Sequence, residues 1–291
     1  MLTASIVVHK TPAGQLQKAI NCLLNSHVDK IYIIDNSPGE SLSAIALFSP
    51  KIDYRHVENN GFGAGHNIAL REVIEPASDA DNAKHNENPC GFHLVMNADV
   101  CWEGDVLTPL LNYLQENPDV GMVMPKTFYP DGDLQYTCRM LPTPFDLFAK
   151  RFLPASLTKK RMERYLLAPH NHDIAINCPY LLGSFLLFRN DALRQCGVFD
   201  ECFFMYPEDI DITRRIHEHW RTMYWPGVSI IHEHAAASRK SFRMLRIHLV
   251  NMIIYFNKWG WLCDKKRRLY NRRLLNSISY IPPSSRPSAR G

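Results

Sequence analysis

The sequence predicts an α/β fold: a mostly parallel central sheet flanked by helices, followed by a basic helical C-terminal extension. Three observations carry this. Apolar strand-like runs alternate with amphipathic helical stripes over residues 1–125. Several of those runs end abruptly in polar residues, as at Asp35 and Asn97-Ala98-Asp99. The charge is divided unevenly. Residues 239–291 hold 13 Lys and Arg against one acid, leaving 20 basic and 28 acidic residues in the rest of the chain. The whole chain of 291 residues carries a net charge of +4, which conceals a basic appendage on an acidic body.

Composition bounds the class. With 46% hydrophobic and 21% charged residues the chain is globular, long enough for one large α/β domain. No run of 18 apolar residues is present, so no membrane-spanning helix is predicted. Met1–Lys10 lacks the charged start and long apolar core of a signal peptide. The eight cysteines contain no C-x-x-C pair and read as reduced thiols of a cytoplasmic protein.

Taken in order, Ser5–His9 is the first strand, with Thr11 as N-cap and Pro12 at the first helical position. Leu16, Ala19, Ile20, Leu23 and Leu24 supply the helical stripe. Lys30–Asp35 is a strand ending in the turn Asp35-Asn36-Ser37-Pro38-Gly39. A short helix, Ser43–Phe48, leads to a third strand, Asp53–Glu58. The glycine-rich stretch Gly61-Phe62-Gly63-Ala64-Gly65 opens a helix through about Glu75. Residues 76–91 read as an exposed loop. The apolar run Phe92, Leu94, Val95, Met96 is the central strand, followed by a helix from about Asp105 to Glu116 and a fifth strand, Val120–Met124. Strand–helix alternation of this kind implies parallel pairing.

Beyond this the pattern changes. Phe128–Tyr136 is a hairpin turning at Pro130-Asp131-Gly132. Residues 141–170 mix prolines with Lys159, Lys160, Arg161 and Arg164 and read as a mobile segment with a short helix. Tyr180–Arg189 is a strand or two. Glu208–Trp220 is a helix with Ile212 and Ile216 inward and Asp211/Arg215 paired at i,i+4. Met223–Trp225 and Val228–Ile231 are strand-like. From Ser238 onward Phe242, Leu245, Leu249, Met252, Ile253 and Phe256 form an apolar stripe. Pro282–Pro287 closes the chain as a low-complexity, disordered tail. The predicted organisation is a body at 1–237 with halves 1–125 and 126–237, a helical extension at 238–276 and a tail at 277–291.

Four stretches carry chemistry, each with a plainer alternative. In an open α/β sheet ligands sit beyond the carboxyl ends of the strands. Asn97 and Asp99, spaced i and i+2 at such an end, reach one hard cation that keeps room for a diphosphate; otherwise Asp99 caps a helix near Trp102. Asp35 accepts the imide N–H of a pyrimidine base, or closes an Asx-turn. Backbone N–H groups opening the helix at 61–67 favour a phosphate, or the glycines serve tight helix–strand packing. The spacing is not the G-x-G-x-x-G of a dinucleotide fold. Glu208 and Asp209 start a helix, where acids are stabilising for electrostatic reasons alone. A carboxylate there also takes the proton of an attacking sugar hydroxyl. His232, with Glu233, His234 and Ser238 near it, is either structural or a cation ligand beside a carboxylate. His217 and His219 are structural.

As a set, Asp35-Asn-Ser37, Asn59-Asn-Gly-Phe-Gly-Ala-Gly-His-Asn67, Asn97-Ala-Asp99, Gly183–Arg189, Gly197–Asp200, Phe204–Asp211 and His232 resemble the family 2 inverting glycosyltransferases. The likeness covers roughly residues 3–257, and it is strongest to bacterial rhamnosyltransferases of O-antigen and other cell-surface glycans. It implies a GT-A fold, a dTDP- or UDP-sugar donor and a divalent metal, Mg²⁺ or Mn²⁺. By motif position Asp35, Glu58, Asn60, Gly61, Gly63, Asn67 and Asn97 face the nucleotide sugar. Asp99 and His232 hold the metal, Asp209 is the general base and Glu208 positions the acceptor. One departure stands out: the family's metal motif often reads Asp-x-Asp, and here its first position is Asn97.

The implied reaction is one in-line displacement that inverts the anomeric carbon. The implied donor is dTDP-L-rhamnose, with UDP-galactofuranose, UDP-glucose or UDP-galactose as alternatives. The acceptor is a saccharide, lipid-diphosphate-linked. Residues 239–273, with Trp259 and Trp261 beside Lys265–Arg268, suit docking on an anionic membrane surface, the inner face of a bacterial inner membrane. No nucleic-acid-binding motif accompanies the basic tail. A catalytically inactive assembly subunit is the rival role, on the strength of Asn97 alone.

Overall fold

The computed structural model describes residues 1–39, 42–75, 91–152, 154–233 and 242–278. The strand–helix alternation is realised as β1 (Leu2–Val8), α1 (Ala13–Leu24), β2 (Lys30–Asp35), a 3₁₀ turn (Ser43–Phe48), β3 (Ile52–His56), α2 (Phe62–Ile74), β4 (Phe92–Met96), β5 (Val100–Cys101), α3 (Leu107–Glu116) and β6 (Val120–Phe128). There follow β7 (Cys138–Arg139), α4 (Pro144–Phe152), α5 (Ala155–Tyr165), β8 (Ile176–Asn177), β9 (Tyr180–Leu181), β10 (Phe185–Arg189), α6 (Asn190–Cys196), α7 (Glu208–His217), β11 (Arg221–His232), α8 (Phe242–Trp259) and α9 (Lys265–Ser277). The expected loop at 76–91 falls, but for Gly91, outside the described residues, as do His234, Ser238 and the terminal tail.

The main sheet runs β3-β2-β1-β4-β10-β6-β11-β5, with β8 also on β11. Pairing is parallel from β3 to β4, then mixed: β10 lies antiparallel between β4 and β6, while β6 and β11 are parallel. The strand inserted at the centre comes from a later part of the chain, so local alternation could not announce it. Side chains alternate between faces as strand geometry requires. Phe185 and Leu187 of β10 join Leu16, Ile20, Leu110 and Leu114 on the α1/α3 face. Leu186 and Phe188 join Ile212 and Ile216 on the α6/α7 face.

Several local expectations are corrected. Pro12 itself occupies the cap position of α1, and no side chain, Thr11 included, caps that helix. No helix starts at Trp102; Asp105 accepts the Thr108 N–H (3.0 Å) just ahead of α3. The two strands foreseen at 223–231 are one strand, β11, whose register shifts between Trp225 and Ser229. The segment 141–170 holds two helices, α4 and α5. Phe148 and Tyr165 from it pack with Tyr255 and Phe256 of α8, contacts far apart in sequence.

The C-terminal helices are bound to the body. Arg214 of α7, only 1% exposed, makes a two-point pair with Asp264 (2.6 and 2.8 Å). Its guanidinium also lies 4.0 Å over the Trp259 ring. Asp211 is fully buried and takes Arg215 (2.8 Å), Lys258 (2.8 Å) and the Trp259 indole N–H (2.8 Å). Trp259 and Arg267, expected at a membrane surface, are therefore turned inward. The third acid of the 208–211 cluster is a structural anchor.

Candidate active site

Strand pairing builds one end of the site. β5 and the end of β11 run antiparallel, with His232 opposite Val100 and the Glu233 N–H on the Asp99 carbonyl (2.9 Å). This register sets His232 Nε2 3.2 Å from Asp99 Oδ1 and 3.5 Å from Asn97 Nδ2. His232 is 2% exposed, and its other nitrogen, Nδ1, lies 2.7 Å from Gln135 Oε1. With that carbonyl oxygen as acceptor, Nδ1 carries the ring proton and the Nε2 lone pair faces Asp99. This is the way a carbonyl orients a metal-ligating imidazole. Gln135 went unforeseen because nothing in its local sequence marks it; the hairpin after β6 delivers it.

Among the described residues no three His, Cys, Asp or Glu side chains gather as a self-sufficient metal cage. The donors present, Asp99 and His232 with Asn97 beside them, fit a hard cation that draws its other ligands from a diphosphate and water. Replacing the carboxylate of the frequent Asp-x-Asp pattern by Asn97 leaves one formal negative charge in that set.

The other end is the start of α7. Asp209 Oδ2 accepts the Gly183 N–H (3.1 Å) and the Tyr180 hydroxyl (3.3 Å), and Oδ1 accepts the Ile210 N–H (2.8 Å). Position 183 is tight: a Cβ there would lie 3.0 Å from Asp209 Cβ and push on the Asp209 side chain. Burial pushes the Asp209 carboxyl upward, opposed by the Gly183 N–H and by the Arg139 charge. Glu208 is more isolated. It is 5% exposed, and its Oε2 has no hydrogen-bond partner among the described residues. Burial first, and the Asp209 charge second, push it to about 8. Two adjacent carboxyls in a poorly solvated place share one negative charge near neutral pH. Asp209 has donors on both oxygens and the Arg139 charge nearby, while Oε2 of Glu208 has none, so Asp209 holds that charge and Glu208 the proton.

Gly183-Ser184 connects the two ends. While the Gly183 N–H holds Asp209, the next carbonyl, Ser184 O, accepts the Asn97 N–H (2.9 Å). The sequence marked this Gly-Ser as a break within an apolar stretch and as part of a family motif, without a role for either residue.

The remaining sequence candidates separate into two groups. Glu58 and Asn60 are exposed on the loop after β3, with their side chains available to a ligand. Asp35 closes the Asx-turn to the Ser37 N–H (2.8 Å), and its second oxygen accepts the Tyr54 hydroxyl (2.8 Å); it is fully buried. Both of its oxygens are engaged internally. The glycines are packing residues: a Cβ would lie 2.2 Å from Phe204 O at Gly61, 2.9 Å from Phe199 Cβ at Gly63 and 2.8 Å from Val7 at Gly65. Asn67 does not line a cleft. It is buried, and its amide exchanges hydrogen bonds with the Phe199 N–H (3.0 Å) and carbonyl (2.9 Å). Gly61 and Asn67 thus hold the 199–204 loop that leads into Glu208 and Asp209.

Comparison with known proteins agrees with this architecture. The model of the family described as "Glycosyl transferase family 2" matches residues 5–197. The chain is 30% identical over 243 residues to the N-acetylglucosaminyl-diphospho-decaprenol L-rhamnosyltransferase of Mycobacterium tuberculosis, covering 80% of this chain and 76% of that one. It is 27% identical over 258 residues to the rhamnosyltransferase WbbL of Escherichia coli K12, covering 87% and 89%. Among solved structures, the Pyrobaculum calidifontis mannosyltransferase PcManGT with GDP-Man and Mn²⁺ superposes with a TM-score of 0.53 at 14% identity, covering 94% of this chain and 74% of that one. GalNAc-T7 with UDP, GalNAc and Mn²⁺ gives 0.57 at 13% identity, covering 80% and 43%. The chain belongs to glycosyl transferase family 2, is a glycosyltransferase, and has the GT-A fold.

Proposed function

We propose that the protein transfers L-rhamnose from dTDP-rhamnose, with inversion, to a lipid-diphosphate-linked saccharide in cell-surface polysaccharide synthesis. Both curated relatives are rhamnosyltransferases by name, and one is named for a diphospho-decaprenol acceptor. The observation that carries the reading is Asp209: a carboxylate held by three donors, raised above its ordinary value, and tied through Gly183-Ser184 to the Asp99–His232 pair.

In this reading Asp209 takes the proton of an acceptor hydroxyl as its oxygen bonds to the anomeric carbon. The bond from that carbon to the diphosphate oxygen breaks, and dTDP leaves. A raised pKa makes Asp209 a stronger base than a solvated aspartate. Glu208, protonated, keeps a second negative charge away from the incoming oxygen and positions the acceptor. Asp99 and His232 would hold Mg²⁺ or Mn²⁺, and the charge such an ion supplies when bound would favour departure of a diphosphate. Glu58, Asn60 and Asn97 line the donor side. Asp35 contacts the base only if it gives up the Tyr54 hydroxyl. No described helix is long and apolar enough to cross a membrane. Access to a lipid-linked acceptor is by peripheral docking, on the inner face of the bacterial inner membrane.

The test is Asp209→Asn, assayed with dTDP-rhamnose and a diphospholipid-linked saccharide. Donor binding, read by thermal shift, stays within about twofold. Transfer falls by on the order of 10²-fold or more, the scale of a lost general base. Near-normal transfer would remove Asp209 from the role. Greater turnover with a UDP-hexose would retain the mechanism and replace the sugar.

A further inference from the structure

The basic charge of the C-terminal helices is not spread evenly over the surface. α9 opens Lys265-Lys266-Arg267-Arg268 with no acid in its first turn, placing cations at the positive end of a helix dipole. Two of the four are neutralised within the fold. Lys266 pairs with Glu218 (2.8 Å), and Arg267 is buried behind Asp264. Arg268 instead faces a cavity of about 440 Å³ between α9 and the α4–α5 pair. Its walls carry Arg161, Arg164, Arg268 and Arg272 against a single carboxylate, Asp146. That carboxylate is already taken by Arg161 (2.6 Å) and Thr143 (2.6 Å). Arg164, Arg268 and Arg272 have no acidic partner among the described residues. Like charges converging on one hollow raise a positive potential that an anion relieves.

Exposed apolar side chains adjoin the residues that line the hollow. Leu262 is 74% exposed, and its carbonyl accepts from Arg268 (3.0 Å). Trp261 is 39% exposed and stacks on Phe148 of α4 with ring centroids 6.3 Å apart. Phe145 is 46% exposed, with the Arg161 guanidinium 4.4 Å from its ring. Exposed aromatic and aliphatic side chains beside guanidinium groups are the composition of a surface that meets a lipid interface. The back wall includes Tyr165, whose carbonyl accepts the Met140 N–H (3.0 Å). The preceding residue, Arg139, acts on Asp209. Two consecutive residues of the chain, Arg139 and Met140, thus reach Asp209 and the cavity respectively.

We propose that this cavity seats the phosphate of an anionic phospholipid headgroup, with Phe145, Trp261 and Leu262 entering the acyl boundary around it. The site moves membrane contact from the C-terminal helices alone to a surface shared with α4 and α5. It rests on the peripheral docking proposed above. Its readout is vesicle binding rather than sugar transfer, so either reading fails without the other.

The full-length chain is tested by flotation with phosphatidylcholine vesicles, with and without phosphatidylglycerol. Binding requires phosphatidylglycerol and weakens with salt. The double variant Arg164→Gln/Arg272→Gln binds about thirtyfold more weakly, from roughly one unit of lipid attraction per charge removed. Lys18→Gln/Lys51→Gln, the same charge change at two exposed positions outside the cavity lining, binds as the parent does. Leu262→Ser weakens retention without changing its salt dependence, and as an exposed position it leaves the melting temperature unchanged. Three outcomes overturn the proposal. The arginine and lysine variants bind alike; phosphatidylcholine alone suffices; or, in detergent without anionic lipid, the arginine variant raises KM for a diphospholipid acceptor by the same factor. The last would give the cavity to the acceptor's own diphosphate.

Discussion

Two helix starts, those of α7 and α9, carry opposite charge and meet opposite fates. α7 opens with Glu208, Asp209 and Asp211 in its first turn, where the helix dipole welcomes negative charge. α9 opens with two lysines and two arginines, against its dipole. The acids that agree with the dipole are drawn inside: Asp211 is fully buried as an anchor, and Asp209 sits among donors. Of the cations that oppose it, Lys266 and Arg267 are neutralised within the fold, Arg268 lines a cavity and Lys265 is exposed. Charge placed with the local field is available for catalysis and packing. Charge placed against it is available to an outside partner. Arg214 and Asp264 join the two helices through a buried pair.

Breaking that joint has the largest expected effect on stability. Arg214→Ala leaves Asp264 buried without its partner and costs about 3–5 kcal/mol, read as a lower urea midpoint. The double variant Arg214→Met/Asp264→Leu recovers only part of it, because it removes the unpaired charge facing α7 but strips buried Arg267 of its carboxylate and α9 of its N-cap. Full recovery would show that the cap and the Arg267 contact add nothing to the joint.

Glu208→Gln sharpens the acidic side. The folded chain holds this proton up to about 8, while an unfolded chain releases it near 4.5. Between those values the unfolded state binds fewer protons, so stability falls as pH rises, by up to about 1.4 kcal/mol per pH unit. Glutamine cannot ionise. The variant melts close to the parent at the acidic end of the window and above it at the alkaline end. Parallel melting curves across the window would place the shared charge elsewhere.

Lys265→Glu gives the smallest effect. It relieves the unfavourable first turn of α9 and stabilises by about 0.3–1 kcal/mol at low salt. Differential scanning calorimetry at two salt concentrations reads the gain, which shrinks as salt rises.

What the sequence disclosed follows the range of the interactions involved. Lys30–Asp35, Ser43–Phe48 and Phe92–Met96 were legible residue for residue, because apolar runs and their polar ends are local signals. Asp99, Asp209 and His232 were legible as candidates because each follows an apolar run or opens a helix. That they share one site was expected from the family resemblance alone, because the entry of β10 between β4 and β6 leaves no local mark. Gln135, Tyr180 and Arg139 carried no mark at all; each matters only through a side chain brought to it from elsewhere in the chain. The segment 141–170 was misjudged because its ordering contacts come from α8, about a hundred residues later. Trp259 looked like a surface group because its partner on α7, Asp211, lies 48 residues upstream, and Arg267 because one of the carbonyls it donates to, that of Pro142, lies 125 residues upstream.

The 232–99 contact is a product of ladder alignment. Side chains on a strand point alternately to opposite faces, so a single residue added to β11 beyond its irregular stretch would carry the imidazole across the sheet, away from the carboxylate. The hairpin that brings Gln135 is aligned in the same way, with Phe128 opposite Leu134 and the Gln135 N–H on the Thr127 carbonyl (2.9 Å). Asp99, His232 and Gln135 are therefore kept or discarded as a unit.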